Sequence, residues 1–406
     1  MGEWKEYKLG DIAEILDFKR KPLSSMERSG RKGIYPYYGA SGIIDNIDDY
    51  IFEGEHVLIS EDGENLRTRQ TPIAFLANGK FWVNNHAHIV KSDYVHNRLI
   101  CYYFAQLDLN PYITGAVQPK LSQESLNKIP IYLPISIDER NRIVRVLSSL
   151  DDKIDLLHRE NATLEALTET LFLRYFIENP NPEWKEGKLG DYVYETIGGE
   201  WGKEAPEEEY NMPVRCLRGA DVADLNDGLA QRTPLRYIKQ SKYDKIEPHS
   251  GDIILEISGG TDTCSTGRVA YINDSVRQLF DYPIVFSNFC RLLRVKEEHT
   301  YFVYCFFRYL HKQGEFFNLE NGSSGIHNLN YKAALYDDLG WPVPTDKKLV
   351  IEFGEKVKPY FDKIHANKKQ ILSLSAQRDG ILPRLMSGEV KMTESKITDK
   401  YILFNN

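Results

Sequence analysis

Two imidazoles two residues apart are the first side chains in this chain that could do chemistry together. Asn84-Asn85-His86-Ala87-His88 would place His86 and His88 on one face of a strand, because strand side chains alternate, and paired imidazoles bind metals. No third ligand follows at metal spacing, and a related stretch later in the chain has Phe289 and Arg291 in their place, so a metal is not expected. A structural pair, or one that faces a nucleic acid, is the better reading. The second candidate is Gly259-Gly260-Thr261 through Ser265-Thr266-Gly267-Arg268, which has the glycine content of a phosphate cradle. It lacks the Gly-Lys-Ser/Thr ending that sets a lysine on the phosphates, so nucleotide binding is not expected. Neither an Asn-Pro-Pro-aromatic nor an Asp-Pro-Pro-aromatic stretch is present to hold a flipped base, and no glycine-rich adenosylmethionine loop follows a strand. With 59 acidic and 51 basic residues, carboxylates beside lysines arise by chance. The chain therefore reads as a non-enzyme.

These groups must be positioned by a sizeable scaffold. At 406 residues the chain is long enough for two or three domains. A composition of 42% hydrophobic and 27% charged residues excludes global disorder and a membrane-embedded body. The five cysteines, Cys101, Cys216, Cys264, Cys290 and Cys305, form no C-x-x-C pair, which argues against a disulfide framework and for a reducing compartment. Neither a secretory leader nor an 18-residue apolar run is visible, so a cytoplasmic location is expected. The formal net charge of −8 argues against a free-standing protein that holds nucleic acid on a basic surface.

The chain repeats itself. Glu3-Trp4-Lys5-Glu6 with Lys8-Leu9-Gly10-Asp11 returns as Glu183-Trp184-Lys185-Glu186 with Lys188-Leu189-Gly190-Asp191, an offset of 180 (184 minus 4). Further on, Gly54-Glu55-His56-Val57-Leu58 lines up with Gly251-Asp252-Ile253-Ile254-Leu255, an offset of 197 (251 minus 54). Asp152-Lys153-Ile154 matches Asp362-Lys363-Ile364 at 210 (362 minus 152). Both halves keep their ends and differ in their interiors, which is one architecture with two loop sets.

Within each half, short β-prone runs such as Val57-Leu58-Ile59-Ser60 and Ile253-Ile254-Leu255 alternate with Gly, Asn and Asp turn residues. Prolines close each run of strands, and helix follows. Ile143, Leu150, Leu157, Leu164 and Leu171 fall seven apart, with Leu147 and Ile154 starting a second column, the heptad pattern of a coiled coil. The second copy has Phe353, Tyr360, Asn367, Leu374 and Ile381 beside Val357, Ile364, Ile371, Arg378 and Leu385. The fold class expected is α+β: a tandem duplication of a β-rich domain followed by a long helix, the two helices forming an antiparallel coiled coil. The boundaries read as 1–137, helix 138–180, 181–346, helix 347–392 and a tail at 393–406. If Asn161 faces Asn367, then Leu157 faces Ile371, Leu164 faces Ile364 and Ile154 faces Leu374, with Leu150 further along the seam. The two seam amides would then satisfy each other and fix the register.

This arrangement resembles the specificity subunit of type I restriction-modification systems. The motifs that carry the likeness are Tyr35-Pro36-Tyr37-Tyr38-Gly39-Ala40-Ser41-Gly42, Thr114-Gly115-x-x-Gln118-Pro119-x-Leu121-Ser122, Leu171-Phe172 with Arg174-Tyr175-Phe176, and Ile381-Leu382-Pro383-Arg384-Leu385-Met386-Ser387-Gly388-Glu389. The resemblance implies a non-catalytic protein whose two target recognition domains each read half of a split, asymmetric sequence in double-stranded DNA. Its helices would set the spacer and dock two methyltransferase subunits, with restriction motor-nuclease subunits joining the complex. It implies no cofactor on this chain, and S-adenosylmethionine, ATP and Mg on its partners. Partners would also supply the bulk electrostatics that an acidic chain lacks. The candidate DNA contacts are Lys32, Tyr38, Ser41, Arg67, Arg69, Asn84, Asn85, Gln118 and Lys120 in the first domain. In the second they are Arg215, Arg218, Thr261, Arg268, Arg291, His327 and Asn328. Arg suits guanine, and Asn or Gln suits adenine. The alternatives are a specificity subunit of another restriction or phage-defence complex, or a coiled-coil scaffold that does not touch DNA.

Overall fold

The computed structural model describes residues 3–390 apart from 116, 179, 183, 185, 186, 227–232, 262, 324 and 325. The tail expected at 393–406, part of the second Trp-Lys-Glu motif and part of the loop around Ser324-Gly325 lie outside the described residues. Two compact units make up the chain: Met1–Lys153 with Leu374–Asn406, and Ile154–Ser373.

In the first unit, a four-stranded antiparallel sheet has the order Glu14–Ile15, Ala87–Lys91, His56–Ser60, Ala74–Ala77. Val57, Leu58 and Ile59 have no exposed surface, which is why this central strand reads as a continuous apolar run rather than an alternation. A second sheet runs Gly42–Ile47, Lys32–Gly39, Lys80–Val83, Phe52–Glu53, and its Lys32–Gly39/Lys80–Val83 pair is parallel. The strand Trp4–Lys8 pairs antiparallel with Pro130–Pro134 and so joins the two ends of the domain.

The second unit repeats this plan, with one strand fewer in its second sheet among the described residues. Its four-stranded sheet has the order Val193–Gly198, Cys290–Val295, Ile253–Glu256, Val269–Tyr271. Its other sheet runs Leu235–Lys239, Tyr210–Leu217, Ile284–Phe286, and its Tyr210–Leu217/Ile284–Phe286 pair is likewise parallel. One detail departs from the sequence reading. Ser60 pairs with Ala87, and Glu256 pairs with Cys290, so the central strands correspond at an offset of 196 (256 minus 60) rather than 197. The difference lies in the preceding turn. Gly54 and Gly251 both sit at left-handed φ, 96° and 93°, which glycine adopts without steric cost, but one residue separates Gly251 from Ile253 and two separate Gly54 from the equivalent Val57.

Three longer helices complete the scaffold. The first, α1 (Ile137–Phe172, 36 residues), starts where the Ser136 hydroxyl accepts the Glu139 N–H at 3.3 Å, with Asp138 and Glu139 in its first turn. It ends in a π-helical turn over Leu173–Ile177. The second, α2 (Thr300–Gln313), covers the four-stranded sheet of the second unit. The third, α3 (Lys347–Met386, 40 residues), starts at Asp346, whose carboxylate accepts the Lys348 N–H at 2.9 Å.

In the first unit the start of α1 (Ile143, Val144, Leu147) shares a core with the end of α3 (Leu382, Leu385, Met386). The Arg378 guanidinium, a charged residue in a seam column, donates to Asp151 at 3.0 Å. In the second unit the end of α1 meets the start of α3: Phe172 lies 6.1 Å from Phe353, centroid to centroid, and Phe176 lies 5.2 Å from it. The helices therefore run antiparallel. The Asn367 amide donates to the Asn161 oxygen at 2.9 Å and to Glu160 at 3.0 Å. Leu150, Ile154, Leu157, Ile364 and Leu374 are buried, and Leu164 and Ile371 are half-buried.

On α3, His365 is buried 5.1 Å from the Tyr271 ring, and its Nε2 has no hydrogen-bond partner among the described residues. Burial, with Lys368 close by, pushes this imidazole down to about 4. An unfolded histidine takes its proton near 6.5, so between those values the unfolded chain binds a proton that the folded chain refuses. Stability from this site is fully present above about pH 6.5 and is lost as pH falls toward 4. His365→Gln should flatten that dependence, read as a smaller drop in melting temperature between pH 6.5 and 4.5.

Candidate nucleic-acid interface

The first unit gathers one polar face from four loops. The Asn84 N–H donates to the Tyr38 carbonyl, which ties the Asn84-Asn85-His86 turn to the Gly39-Ala40-Ser41-Gly42 turn. The Ser60 hydroxyl donates to the Ala40 carbonyl at 2.6 Å. The Glu61 N–H donates to the His86 carbonyl, and the Leu121 N–H donates to the Glu61 carbonyl, which brings in the loop carrying Gln118 and Lys120. Arg67 donates to the Gly115 carbonyl at 2.9 Å and braces the far side of that loop. Ser41, Asn85, His86, Gln118 and Lys120 are exposed on this face.

The second unit builds its counterpart from equivalent bonds. The Ser287 N–H donates to the Leu217 carbonyl, the Ile257 N–H to the Phe289 carbonyl, and the Leu329 N–H to the Ile257 carbonyl. Arg218, Arg268, His327 and Asn328 thus flank the Ser287-Asn288-Phe289 turn. The strand Ile326–Leu329 pairs with Ser258–Gly260, Asn328 opposite Ser258. The glycine-rich loop is already filled: the Thr266 N–H and hydroxyl both donate to the Glu320 carboxylate, at 2.6 and 2.7 Å. Thr261 sits exposed at its rim, its hydroxyl accepting the Cys264 N–H at 3.1 Å.

Several expected contacts lie elsewhere. Tyr38 is 9% exposed and packs on Phe75 and Phe81. Asn84 is buried, its oxygen accepting the His86 N–H at 2.8 Å. Arg69 donates to the carbonyls of Phe104, Ala105 and Leu107, closing the end of the helix Asn97–Gln106. Lys32 pairs with Asp45 at 2.7 Å at the opposite end of the strand from Gly39, roughly 20 Å away at about 3.3 Å per residue. Arg291 is half-buried over the Tyr331 ring at 5.4 Å.

His86 and His88 do not act together. His86 pairs with Asp62 at 2.8 Å in the turn, and His88 is buried between Asp17 (2.5 Å) and the Leu121 carbonyl (2.8 Å). Asp17, Glu61 and His88 form a group whose ligand atoms lie within 4.8 Å of one another, close enough to hold a metal ion. The chain supplies its own cations there. Arg20 reaches Glu61 at 2.5 Å and Asp17 at 3.3 Å, and Lys120 reaches Glu61 at 3.1 Å. A divalent ion would sit against that guanidinium, so the group works as an ion network that anchors Lys120. Burial raises the Glu61 carboxyl, but Arg20, His88 and Lys120 outweigh it and hold it below its ordinary value.

With this geometry in view, comparison with known proteins decides the family. A family model described as the type I restriction modification DNA specificity domain matches residues 1–166. A putative type I restriction enzyme specificity subunit of Haemophilus influenzae is 31% identical over 287 residues, which span 67% of this chain and 70% of that one. The chain belongs to the type I restriction enzyme specificity subunits. The MjaIX specificity subunit of Methanocaldococcus jannaschii is 24% identical to this specificity subunit over 429 residues, 97% of this chain and 94% of its relative. The crystal structure of an S subunit from M. genitalium shares the fold, with a TM-score of 0.57 at 15% identity, covering 96% of this chain and 97% of that one. No helix among the described residues of this specificity subunit is long and apolar enough to cross a membrane.

The sequence reading missed the acids that hold the candidate cations. Arg215 is bidentate to Asp281 (2.7 and 2.8 Å), Arg218 to Asp221 (2.9 Å twice) and Arg268 to the buried Glu256 (2.7 and 2.5 Å), while His327 pairs with Glu320 at 2.9 Å. Hydrogen bonds donated to these carboxylates hold Arg215, Arg218 and Arg268 even more firmly charged than usual. Planar bidentate pairing fixes each guanidinium in one orientation. One signal was present in the sequence: Glu61 and Glu256 both stand at the ends of apolar central strands, where an acid needs a partner.

Proposed function

We propose that this specificity subunit is the non-catalytic DNA-reading part of a type I restriction-modification complex in the cytoplasm. Residues 1–137 and 181–346 each read one half of a bipartite, asymmetric site in double-stranded DNA, and α1 and α3 set the spacer and dock two methyltransferase subunits. Restriction subunits join through that complex, and S-adenosylmethionine, ATP and Mg belong to the other chains. The observation that carries this reading is the duplicated scaffold: the same backbone bonds present the same turns in both units, with different side chains on them. Unlike half-sites call for that design, since base edges are read by a few side chains while the scaffold positions them.

The contacts we assign are Ser41, Arg67, Asn85, Gln118 and Lys120 in the first domain, and Arg215, Arg218, Thr261, Arg268, His327 and Asn328 in the second. Tyr38, Asn84 and Arg69 act from behind, because their polar or aromatic groups are already engaged. Exchanging residues 1–137 for the matching domain of another specificity subunit should change one half-site and leave the other. Mapping of methylated adenines reads the result, and a change in both halves would refute independent reading.

The paired acids also explain how an acidic chain can serve. Each carboxylate cancels a cation until DNA competes for it, which keeps sequence-independent affinity low. Asp281→Asn frees Arg215 and should tighten binding of the assembled complex to random DNA. The slope of log affinity against log salt should steepen by about one, the share of one added phosphate contact. Anisotropy titrations between roughly 50 and 200 mM salt check it.

A further inference from the structure

The turn that each domain carries between its two sheets is the same structure with one chemically opposite side chain. Asn84 N–H bonds to Tyr38 as Ser287 N–H bonds to Leu217, and Glu61 N–H bonds to His86 as Ile257 N–H bonds to Phe289. The capping atom is alike in kind as well: the Asn84 oxygen accepts the His86 N–H at 2.8 Å, and the Ser287 hydroxyl accepts the Phe289 N–H at 3.3 Å. Asn85 and Asn288 are therefore equivalent and both exposed. His86 and Phe289 are equivalent too, and there the chemistry divides. His86 is polar and held by Asp62 at 2.8 Å. Phe289 is 51% exposed and belongs to none of the apolar clusters among the described residues.

A single exposed apolar residue is ordinary on a protein surface. This one stands at the tip of a fixed turn, between the ribbon that carries His327 and Asn328 and the segment that carries Arg218, among side chains that can hydrogen-bond to bases. Packing does not account for it, and in the other domain the same position is polar. In the major groove the one apolar group on a base edge is the C5-methyl of thymine. We propose that Phe289 is a specificity-determining residue that contacts a thymine methyl in the second half-site, with Asn288 beside it on the neighbouring base pair. This inference rests on the DNA-reading function proposed above.

The test is a uracil scan with the assembled methyltransferase complex and its own recognition sequence. Each thymine of both half-sites is replaced in turn by deoxyuridine, which removes the methyl and leaves base pairing intact. At one position of the second half-site, uracil should weaken binding by the wild-type complex about three- to fivefold, the value of burying one methyl group. Phe289→Ala should bind the thymine sequence that much more weakly and show no further loss with uracil there. Its response to base changes in the first half-site should stay as in wild type, which shows that the variant is folded. The proposal is overturned if the uracil penalty survives Phe289→Ala. It is equally overturned if the sensitive thymine lies in the first half-site, or if ordinary base changes in the second half-site abolish binding while uracil is tolerated everywhere in it. A wild-type complex without any sequence preference would instead take down the DNA-reading function, and this proposal with it.

Discussion

One heptad inserted in each long helix lengthens the gap between half-sites by about three base pairs and leaves the half-sites themselves unchanged. The insertions belong opposite each other, after Leu157 in α1 and after Gln370 in α3, so that the Asn161–Asn367 bond keeps its geometry. Seven residues add about 10 Å of helix at 1.5 Å per residue. That equals roughly three steps of 3.4 Å along the duplex. Three base pairs also turn the second half-site by roughly 100° about the DNA axis, since a turn takes about 10.5 base pairs. Affinity should therefore fall while the choice of bases stays. Methylation mapping of the variant complex reads both quantities, and altered bases with an unaltered gap would show that the helices do not act as the ruler.

The seam amides give the second large effect. Asn367 is 1% exposed and Asn161 is 7% exposed, and the Asn161 oxygen takes its hydrogen bond from Asn367, which also donates to Glu160. Asn367→Leu strands the Asn161 oxygen, and leaving a buried polar group unsatisfied costs about 1–3 kcal/mol. At roughly 2–4 °C per kcal/mol for a unit of this size, the melting temperature falls by several degrees. Converting both residues to leucine removes the unsatisfied group, and stability should return to the wild-type level or rise above it. The price is register, since a polar seam pair discriminates against slipped alignments that leucines tolerate. Thermal unfolding of the two single variants and the double variant separates these effects. A double variant as unstable as the singles would mean that the pair is not coupled.

Much of the architecture is legible in the order of residues. The repeated Trp-Lys-Glu motif and the seven-residue spacing of Ile143, Leu150, Leu157 and Leu164 specify a duplication and two long helices, because heptad periodicity is a local property of the chain. Once the two polar seam residues Asn161 and Asn367 are set opposite each other, the remaining pairs follow from positions alone, since antiparallel columns have a constant sum. The strand offset is legible only to within one residue. The extra residue after Gly54 shifts the register, and turn geometry is decided by the strands on either side of it.

The recognition faces are less legible, for a different reason. The sequence shows which side chains are arginines, lysines and amides, but which of them face outward depends on partners far away along the chain. Asn84 looks like Asn85 in sequence, yet one caps a turn and the other is exposed. Arg69 and Arg67 differ by two positions, yet Arg69 closes the end of a helix more than thirty residues later. His86 and His88 suggest a metal pair, and the fold sends them to separate partners, Asp62 and Asp17.

What the amino-acid order settled by itself was periodic and local: helix, strand, repeat and the family motifs. Only the tertiary structure could decide which polar groups are engaged within the protein and which remain to meet a ligand. Hydrogen-bond and ion-pair partners are chosen by distance in space, and the chain brings Arg215 to Asp281, Arg268 to Glu256 and Thr266 to Glu320 only after its strands have found their neighbours.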